Sequence, residues 1–501
     1  MIMIDNIKLA NYKSFFADQV KEAIDEQQKI NRSQMRNLFK TGELSLAYVD
    51  SIQHETGMII LKCPRRMAPR LKVLKGVCII KKGAKQALGE HVTEWICRWD
   101  EFVDNKDFHS PGSDMTPMYY VHTGDSNYDY VACSGFSFKL YDILSKALVD
   151  GKSLSLIVHN PFPPVEYFRN LASYMDAFSS NDELNLEPTI DYEEWTPEEL
   201  AFDEQKPTGI SDTIIDTLAN EHCCIVQGPP GTGKSYTIAS VISSYLDAGK
   251  TVCVTTMANK GLIELIKQKP LQKYVKEGRV SKTNLSIDER KQVSGVKAAS
   301  ADLQVPGGEM LCATNYQLSS VFSEKKMTLY GLPQYDLVVI EEASQAFLTA
   351  IVAFKQLGID CLIVGDPMQL PPIVKLNNPQ YNSWNVATQV EGLKSMVLGT
   401  SIKSYRIVTT FRLTSRSASL TKCFYGNRFV SVKQDYLDFT KANSVLFPQD
   451  GGVLYHCTLD VRNGVYSDKA DAIIRDVIEK LEKYHLTETE VEPQNPATTR
   501  K

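Results

Sequence analysis

The feature that most narrows the fold is one loop, Gly228-Pro229-Pro230-Gly231-Thr232-Gly233-Lys234-Ser235, lying between the apolar run Cys223-Cys224-Ile225-Val226 and a stretch from Tyr236 to Leu246 that predicts a helix. It fits GxxxxGK[ST] in the strand–loop–helix setting that this pattern requires. The glycines let backbone N–H groups converge on phosphate oxygens, and the N-terminus of the following helix adds a favourable dipole. Lys234 has the charge and reach to neutralise β- and γ-phosphate oxygens, and the Ser235 hydroxyl can ligate Mg²⁺. The loop with Tyr236 is therefore the candidate nucleotide-binding segment, and Lys234 is a candidate catalytic residue. A glycine-rich turn that fits by accident is the bland alternative.

A phosphate loop needs a parallel sheet behind it, and the flanking sequence supplies one. Apolar runs at 223–227, 251–257, 310–313, 336–340 and 361–364 alternate with helical stretches at 234–248, 259–268 and 344–357. Continuous apolar strands between helices imply an α/β fold with a parallel sheet covered on both faces. Upstream, residues 1–40 read as a helical segment with Phe15-Phe16, Val20 and Ile24 on one face. Residues 41–160 carry short β-rich runs between Gly, Pro, Asn and Asp turns, as in a small barrel or sandwich. Residues 161–207 contain a helix at 164–178 and an acidic stretch at 181–204, read as a solvated linker. The ATPase domain is then placed at 208–375, a second partial domain at 376–485, and a loose polar tail at 486–501.

Two further strand ends carry chemistry. Asp336-Leu337-Val338-Val339-Ile340 runs into Glu341-Glu342-Ala343-Ser344-Gln345. In an open parallel sheet ligands gather at the carboxyl ends of strands. One carboxylate is needed at the metal and one to deprotonate the attacking water, so Glu341 reads as the metal-side acid and Glu342 as the base. Cys361-Leu362-Ile363-Val364 ends in Gly365-Asp366-Pro367-Met368-Gln369-Leu370-Pro371-Pro372, where a polar group could sense the γ-phosphate.

GPPGTGKS, EEASQ and GDPMQLPP in this order resemble the superfamily 1 helicases. The branch most like this chain is that of the nonsense-mediated-decay RNA helicase, senataxin and the replication helicase-nucleases. Thr255-Thr256-Met257-Ala258-Asn259 and Cys312-Ala313-Thr314-Asn315 resemble the family's first nucleic-acid-contacting elements, which implies binding roles for Thr256, Asn259 and Thr314. Thr410-Phe411-Arg412, followed by Phe424-Tyr425-Gly426, resembles the start of a second RecA-like domain. The resemblance implies that Gln369 contacts the γ-phosphate, that Arg412 supports it electrostatically, and that Phe411 stacks on the base. It implies a RecA-like P-loop NTPase, with ATP and Mg²⁺ as cofactors and single-stranded RNA or DNA as partner, moving 5′ to 3′. The N-terminal part resembles, in architecture alone, a small β-barrel on a helical stalk.

Three positions depart from the family pattern. Glu341 stands where the family usually has Asp. The adenine-reading glutamine upstream is replaced near Ser211-Asp212. After Val461 no candidate exists for the later motifs, including the arginine finger, so the second RecA-like domain reads as incomplete and completed by a further polypeptide or a missing C-terminal region. An arginine finger contributes about 10³–10⁵ in rate in phosphoryl transfer. A nucleotide-binding switch, or a nucleic-acid-binding protein, without motor activity is accordingly the alternative function.

Composition excludes little. At 501 residues, 43% hydrophobic and 23% charged, with a net charge of −5, the chain reads as an ordinary globular protein with no global pull toward polyanions. Of two local basic stretches, 62–85 is either a backbone-tracking surface or a solvated face, and 267–300 is either a helical module inserted between two strands, as in the family resembled, or a solvated helical surface. Eleven cysteines show no CxxC pair or zinc-type cluster with histidine, which suggests a reducing compartment and a cytoplasmic location. No apolar run is long enough for a membrane span, and the N-terminus lacks the pattern of a signal peptide.

Overall fold

A computed structural model describes chiefly residues 2–34, 45–53, 58–64, 77–80, 117–121, 127–133, 155–158, 165–178, 182–323, 332–374 and 386–433, with isolated positions beyond. Most of the basic run 62–85, nearly all of 434–485, and the tail 486–501 lie outside the described residues. The chain divides into two compact units. The first comprises Met1–Pro197, Ser211–Val226 and Ser235–Ser404; the second comprises Glu198–Ile210, Gln227–Lys234 and Tyr405–Lys501.

The first unit begins with α1 (Ile2–Arg32). Six antiparallel strands follow: β1 (Ser45–Gln53), β2 (Met58–Pro64), β3 (Val77–Ile80), β4 (Pro117–Val121), β5 (Tyr128–Cys133) and β6 (Ser155–Val158). Their order is β3-β6-β1-β2-β5-β4. This is the expected β-rich region, present as a six-stranded sheet; its closure into a barrel stays a proposal. Lys62 of the basic run pairs in register with Tyr130, and its ammonium lies 4.3 Å from the centre of the Tyr128 ring. That lysine is engaged in cation–π contact within the sheet.

Helix α2 (Glu166–Ala177) lies where the apolar pattern at 164–178 predicts one. It buries Tyr167, Leu171, Tyr174 and Met175 against Tyr12, Phe15 and Phe16 of α1. Phe347, just ahead of the helix Leu348–Lys355, meets Phe16 edge-on at 5.5 Å. These aromatic rings seat the helical pair on the parallel-sheet part of the same unit through apolar burial. The acidic stretch is not a bare linker. Leu184, Leu186 and Trp195 are buried, and Glu183 and Glu187 reach Lys355 and Lys8. Its last residues form β7 (Glu198–Leu200), which belongs to the second unit.

Next come α3 (Gly209–Glu221), β8 (Cys223–Gln227), α4 (Lys234–Asp247), β9 (Val252–Thr256) and α5 (Asn259–Ile266). The basic stretch at 267–300 contributes two strands, β10 (Val280–Lys282) and β11 (Lys297–Ala298), as well as short helices. Then follow β12 (Met310–Thr314), β13 (Tyr335–Ile340), α6 (Leu348–Lys355) and β14 (Gly358–Gly365). The order through this unit is β11-β10-β12-β9-β13-β14-β8, with parallel pairing documented from β11 to β14. β8, β9 and β12 are buried along their whole length, which is why they read as unbroken apolar runs. Cysteines serve here as small core residues: burial pushes the Cys312 thiol up to about 12. The Cys223 thiol is drawn down by its hydrogen bond with Cys361 on the neighbouring strand.

In the second unit β15 (Ser404–Ile407) pairs in parallel with β7, matching Tyr405 with Glu198 and Ile407 with Leu200. β16 (Thr409–Thr414) pairs in parallel with β17 (Val430–Lys433), over a small core of Ala418, Tyr425 and Phe429. Among the described residues no helix is long and apolar enough to cross a membrane.

Candidate nucleotide and nucleic-acid site

The phosphate loop lies in the second unit with its backbone pinned from several sides. Gly231 and Gly233 have φ of +77° and +78°, which residues with a side chain rarely adopt. A side chain at Gly231 would also strike Cβ of Arg412, and one at Gly228 would strike the Lys234 stem. The Thr232 hydroxyl donates to the Pro229 carbonyl at 2.9 Å, the Thr410 hydroxyl donates to Pro230 O at 3.1 Å, and the Phe411 N–H donates to Gly231 O at 2.8 Å. Arg406 Nε donates to Gln227 Oε1 at 2.6 Å just ahead of the loop. Lys234 Nζ donates to the carbonyls of Gly228 and Pro229. Arg412 and Phe411, expected at this loop, are beside it. Tyr236 is half exposed, at 49%.

In the first unit Ser235 Oγ donates to Glu341 Oε1 at 3.1 Å. The two residues expected to share a metal thus meet, one at the first turn of α4 and the other just past β13. Glu341 is buried, and its N–H donates to Thr255 O at 2.9 Å, which ties the acidic turn to β9. A hydroxyl and a carboxylate are hard oxygen donors. They suit Mg²⁺, which takes one or two carboxylates and completes its shell with water and phosphate oxygens. Among the described residues no group of three or more His, Cys, Asp or Glu side chains could hold a metal.

Glu342 has φ of +54°, a left-handed backbone for a residue with a full side chain. Such a conformation costs on the order of 1–3 kcal/mol and survives only where the surroundings impose it. Here the surroundings are close backbones. A Cβ on Gly365 would come within 2.6 Å of Leu393 Cδ2, 2.9 Å of Ser344 N and 3.2 Å of Ala343 N. The glycine ending β14 therefore lets the GDPMQ turn pack directly on the acidic turn. Asp366 is buried; its Oδ1 accepts from Met368 N at 3.1 Å and its Oδ2 from Gln369 Nε2 at 3.3 Å. Gln369 itself is exposed. The turn that carries Glu342 and the turn that carries Gln369 are thus direct neighbours.

The residues expected at nucleic acid are placed differently. Thr256 and Thr314 are register partners at the ends of β9 and β12, and both are buried. The Thr256 hydroxyl donates to Ala258 O at 2.7 Å. Asn259 Oδ1 accepts from Lys282 Nζ at 2.7 Å. The Lys282 side chain is 0% exposed and also reaches Thr283 O at 3.0 Å and Glu289 Oε2 at 3.5 Å. Its burial departs from the solvated surface that the basic stretch suggests: a charge inside needs partners, and Lys282 has them.

Three participants escaped the sequence reading. Phe202 packs edge-on against Phe411 at 5.0 Å, Asn315 accepts from the Thr255 hydroxyl at 2.7 Å, and Lys282 holds Asn259. Asn315 follows directly on Thr314 and was within reach of motif reasoning. Phe202 and Lys282 carry no local signal, because tertiary pairing makes their roles.

Residues 211–375 match the family model of the AAA domain. The chain is 29% identical over 245 residues to the DNA replication ATP-dependent helicase/nuclease dna2 of Schizosaccharomyces pombe, covering 45% of this chain and 16% of that protein. It is 26% identical over 207 residues to the DNA replication ATP-dependent helicase/nuclease DNA2 of Saccharomyces cerevisiae, covering 38% of this chain and 12% of that protein. Among solved structures, the arterivirus nonstructural protein 10 helicase in complex with DNA matches 44% of each chain at 15% identity, with a TM-score of 0.27. The chain spans less than a fifth of the length of these curated relatives.

Proposed function

We propose that this chain is a superfamily 1 helicase, a nucleic-acid-dependent ATPase that hydrolyses ATP to move along or remodel single-stranded RNA or DNA; the AAA-domain match over residues 211–375 and the likeness to dna2 support the reading. The observation that carries the reading is the Ser235–Glu341 contact of 3.1 Å: it joins the residue after the phosphate-loop lysine to the acidic strand end. The close approach of the Gly365 turn to the Glu342 turn adds the third strand end.

Each residue has a role in this reading. The loop N–H groups and Lys234 bind the β- and γ-phosphates; Lys234 exchanges its bonds to Gly228 O and Pro229 O for phosphate oxygens. Ser235 and Glu341 would hold Mg²⁺, which would supply positive charge to neutralise the triphosphate. Glu342 accepts the proton of the attacking water. Gln369 hydrogen-bonds the γ-phosphate, and Arg412 stabilises the charge that develops on it. A general base is worth about 10²–10⁴ in rate. The strained Glu342 backbone is the kind of cost that a scaffold meets at a working position.

Nucleic acid lies across the strand ends of β9 and β12. The burial of Thr256 and Thr314 favours contact through backbone groups there. Movement runs 5′ to 3′ as in the branch resembled, in the cytoplasm.

The test is phosphate release by the full chain with Mg²⁺, with and without single-stranded RNA and single-stranded DNA. Stimulation by one of the strands, lost in Lys234→Ala, is expected. Tight ATP binding with no turnover under any condition would replace this reading with a nucleotide switch.

A further inference from the structure

The turn that follows β12 carries an open aromatic ring on a fixed backing. Thr314 and Asn315 are buried, and the Asn315 carboxamide already accepts from the Thr255 hydroxyl at 2.7 Å. The next side chain, Tyr316, is 44% exposed. Its ring lies 4.7 Å from that of Tyr167 in α2, at 37° between planes, and Tyr167 is 1% exposed. Tyr167 thus covers one side of the Tyr316 ring, and the exposure belongs to the other. The buried Tyr167 hydroxyl finds no hydrogen-bond partner among the described residues, so this position uses its ring and not its polar tip.

The turn itself is held from α2. Asn170 Nδ2 donates to Ser319 Oγ at 3.1 Å, and Ser319 Oγ donates to Tyr316 O at 2.7 Å. Phe322, at the end of the same segment, meets Tyr174 edge-on at 4.9 Å. A ring fixed from behind loses little freedom when a ligand covers its open side.

We propose that Tyr316, backed by Tyr167, stacks on a nucleobase of the single strand that crosses the carboxyl end of β12. The proposal rests on the nucleic-acid reading above and deepens it, adding a contact to the bases where that reading has only backbone groups. The polar side chains at these strand ends are committed to the scaffold, Thr256 to Ala258 O, Asn259 to Lys282 and Asn315 to Thr255. The open group beside them is an uncharged ring. Stacking on it is indifferent to sequence, because every base has a π-face. It adds nothing to salt dependence, which comes from phosphates neutralised by cations. It also selects single strands, whose unstacked bases can turn a face to the ring.

The experiment is equilibrium binding of the full chain, by fluorescence anisotropy, to labelled oligothymidylate, oligouridylate and an abasic deoxyribose-phosphate strand of the same length. The parent is expected to bind at least one base-bearing strand on the order of tenfold more tightly than the abasic strand. Tyr316→Ala should weaken that strand on the order of tenfold, the scale of one lost stack, and leave the abasic strand and the salt slope unchanged. Tyr316→Phe keeps the ring and should bind as the parent does. Tyr316→Leu keeps an apolar contact on Tyr167 without a π-face, so weakening there at the parent Tm separates lost stacking from lost folding. Parent affinity in both the alanine and the leucine variants, or an equal loss on the abasic strand, overturns the stacking role while strand-stimulated ATP turnover still supports the ATPase reading. Failure of the parent to bind any strand, abasic included, overturns the nucleic-acid reading and the stacking role with it.

Discussion

Two sets of strand ends on one edge of the parallel sheet use their polar residues in opposite ways. At β13 and β14, Glu341 meets Ser235, Glu342 keeps a strained backbone, and Gln369 stays exposed. At β9 and β12, Thr256, Asn259 and Asn315 direct their side chains into the scaffold, to Ala258 O, Lys282 and Thr255. The first set bonds among the strand-end turns themselves, Ser235 to Glu341 and Gln369 to Asp366. The second set is already hydrogen-bonded within the fold, so removing a partner costs stability before it costs binding. Position at a strand's carboxyl end makes a residue a candidate; what its polar atoms already do decides which kind.

Substitutions put that contrast to the test. Glu342→Gln should have the largest effect, a loss of about 10²–10⁴ in kcat with ATP binding retained, measured by single-turnover hydrolysis and equilibrium binding. Turnover at the parent rate would remove the base assignment. Gly365→Ala should destabilise by about 1–3 kcal/mol, because the added methyl meets backbone nitrogens that cannot yield, and hydrolysis should fall with it. Thermal denaturation alongside the rate checks this. Asn259→Ala should cost about 1–2 kcal/mol by taking one acceptor from the buried Lys282, read as a lower Tm. Thr256→Val should cost least, about 0.5–1.5 kcal/mol, with strand-stimulated turnover intact. Loss of strand stimulation in Thr256→Val at an unchanged Tm would return the hydroxyl to the nucleic-acid interface and dissolve the contrast.

The strongly periodic parts of the chain were legible in advance. The run Tyr335–Ile340 and the run ending at Gly365 read as buried strands because parallel strands covered on both faces leave no polar alternation. Helix α2 fell where its apolar spacing put it. The strands β10 and β11 did not show, since two or three residues carry no period. Nor did the burial of Leu184, Leu186 and Trp195 within an acidic stretch, because charge density in a window says nothing of which side chains face inward.

What the sequence determined alone is the loop and its chemistry: the glycines, lysine and serine between an apolar run and a helix admit few folds, because converging backbone N–H groups need that strand–loop–helix frame. Tertiary structure alone decided which distant residues meet. Ser235 found Glu341, the Gly365 turn settled on the Glu342 turn, Phe202 reached Phe411, and Lys282 went inside to Asn259. The physical reason is range. Backbone preference and local periodicity act within a few residues, whereas these meetings follow from strand order and close packing between segments far apart in the chain.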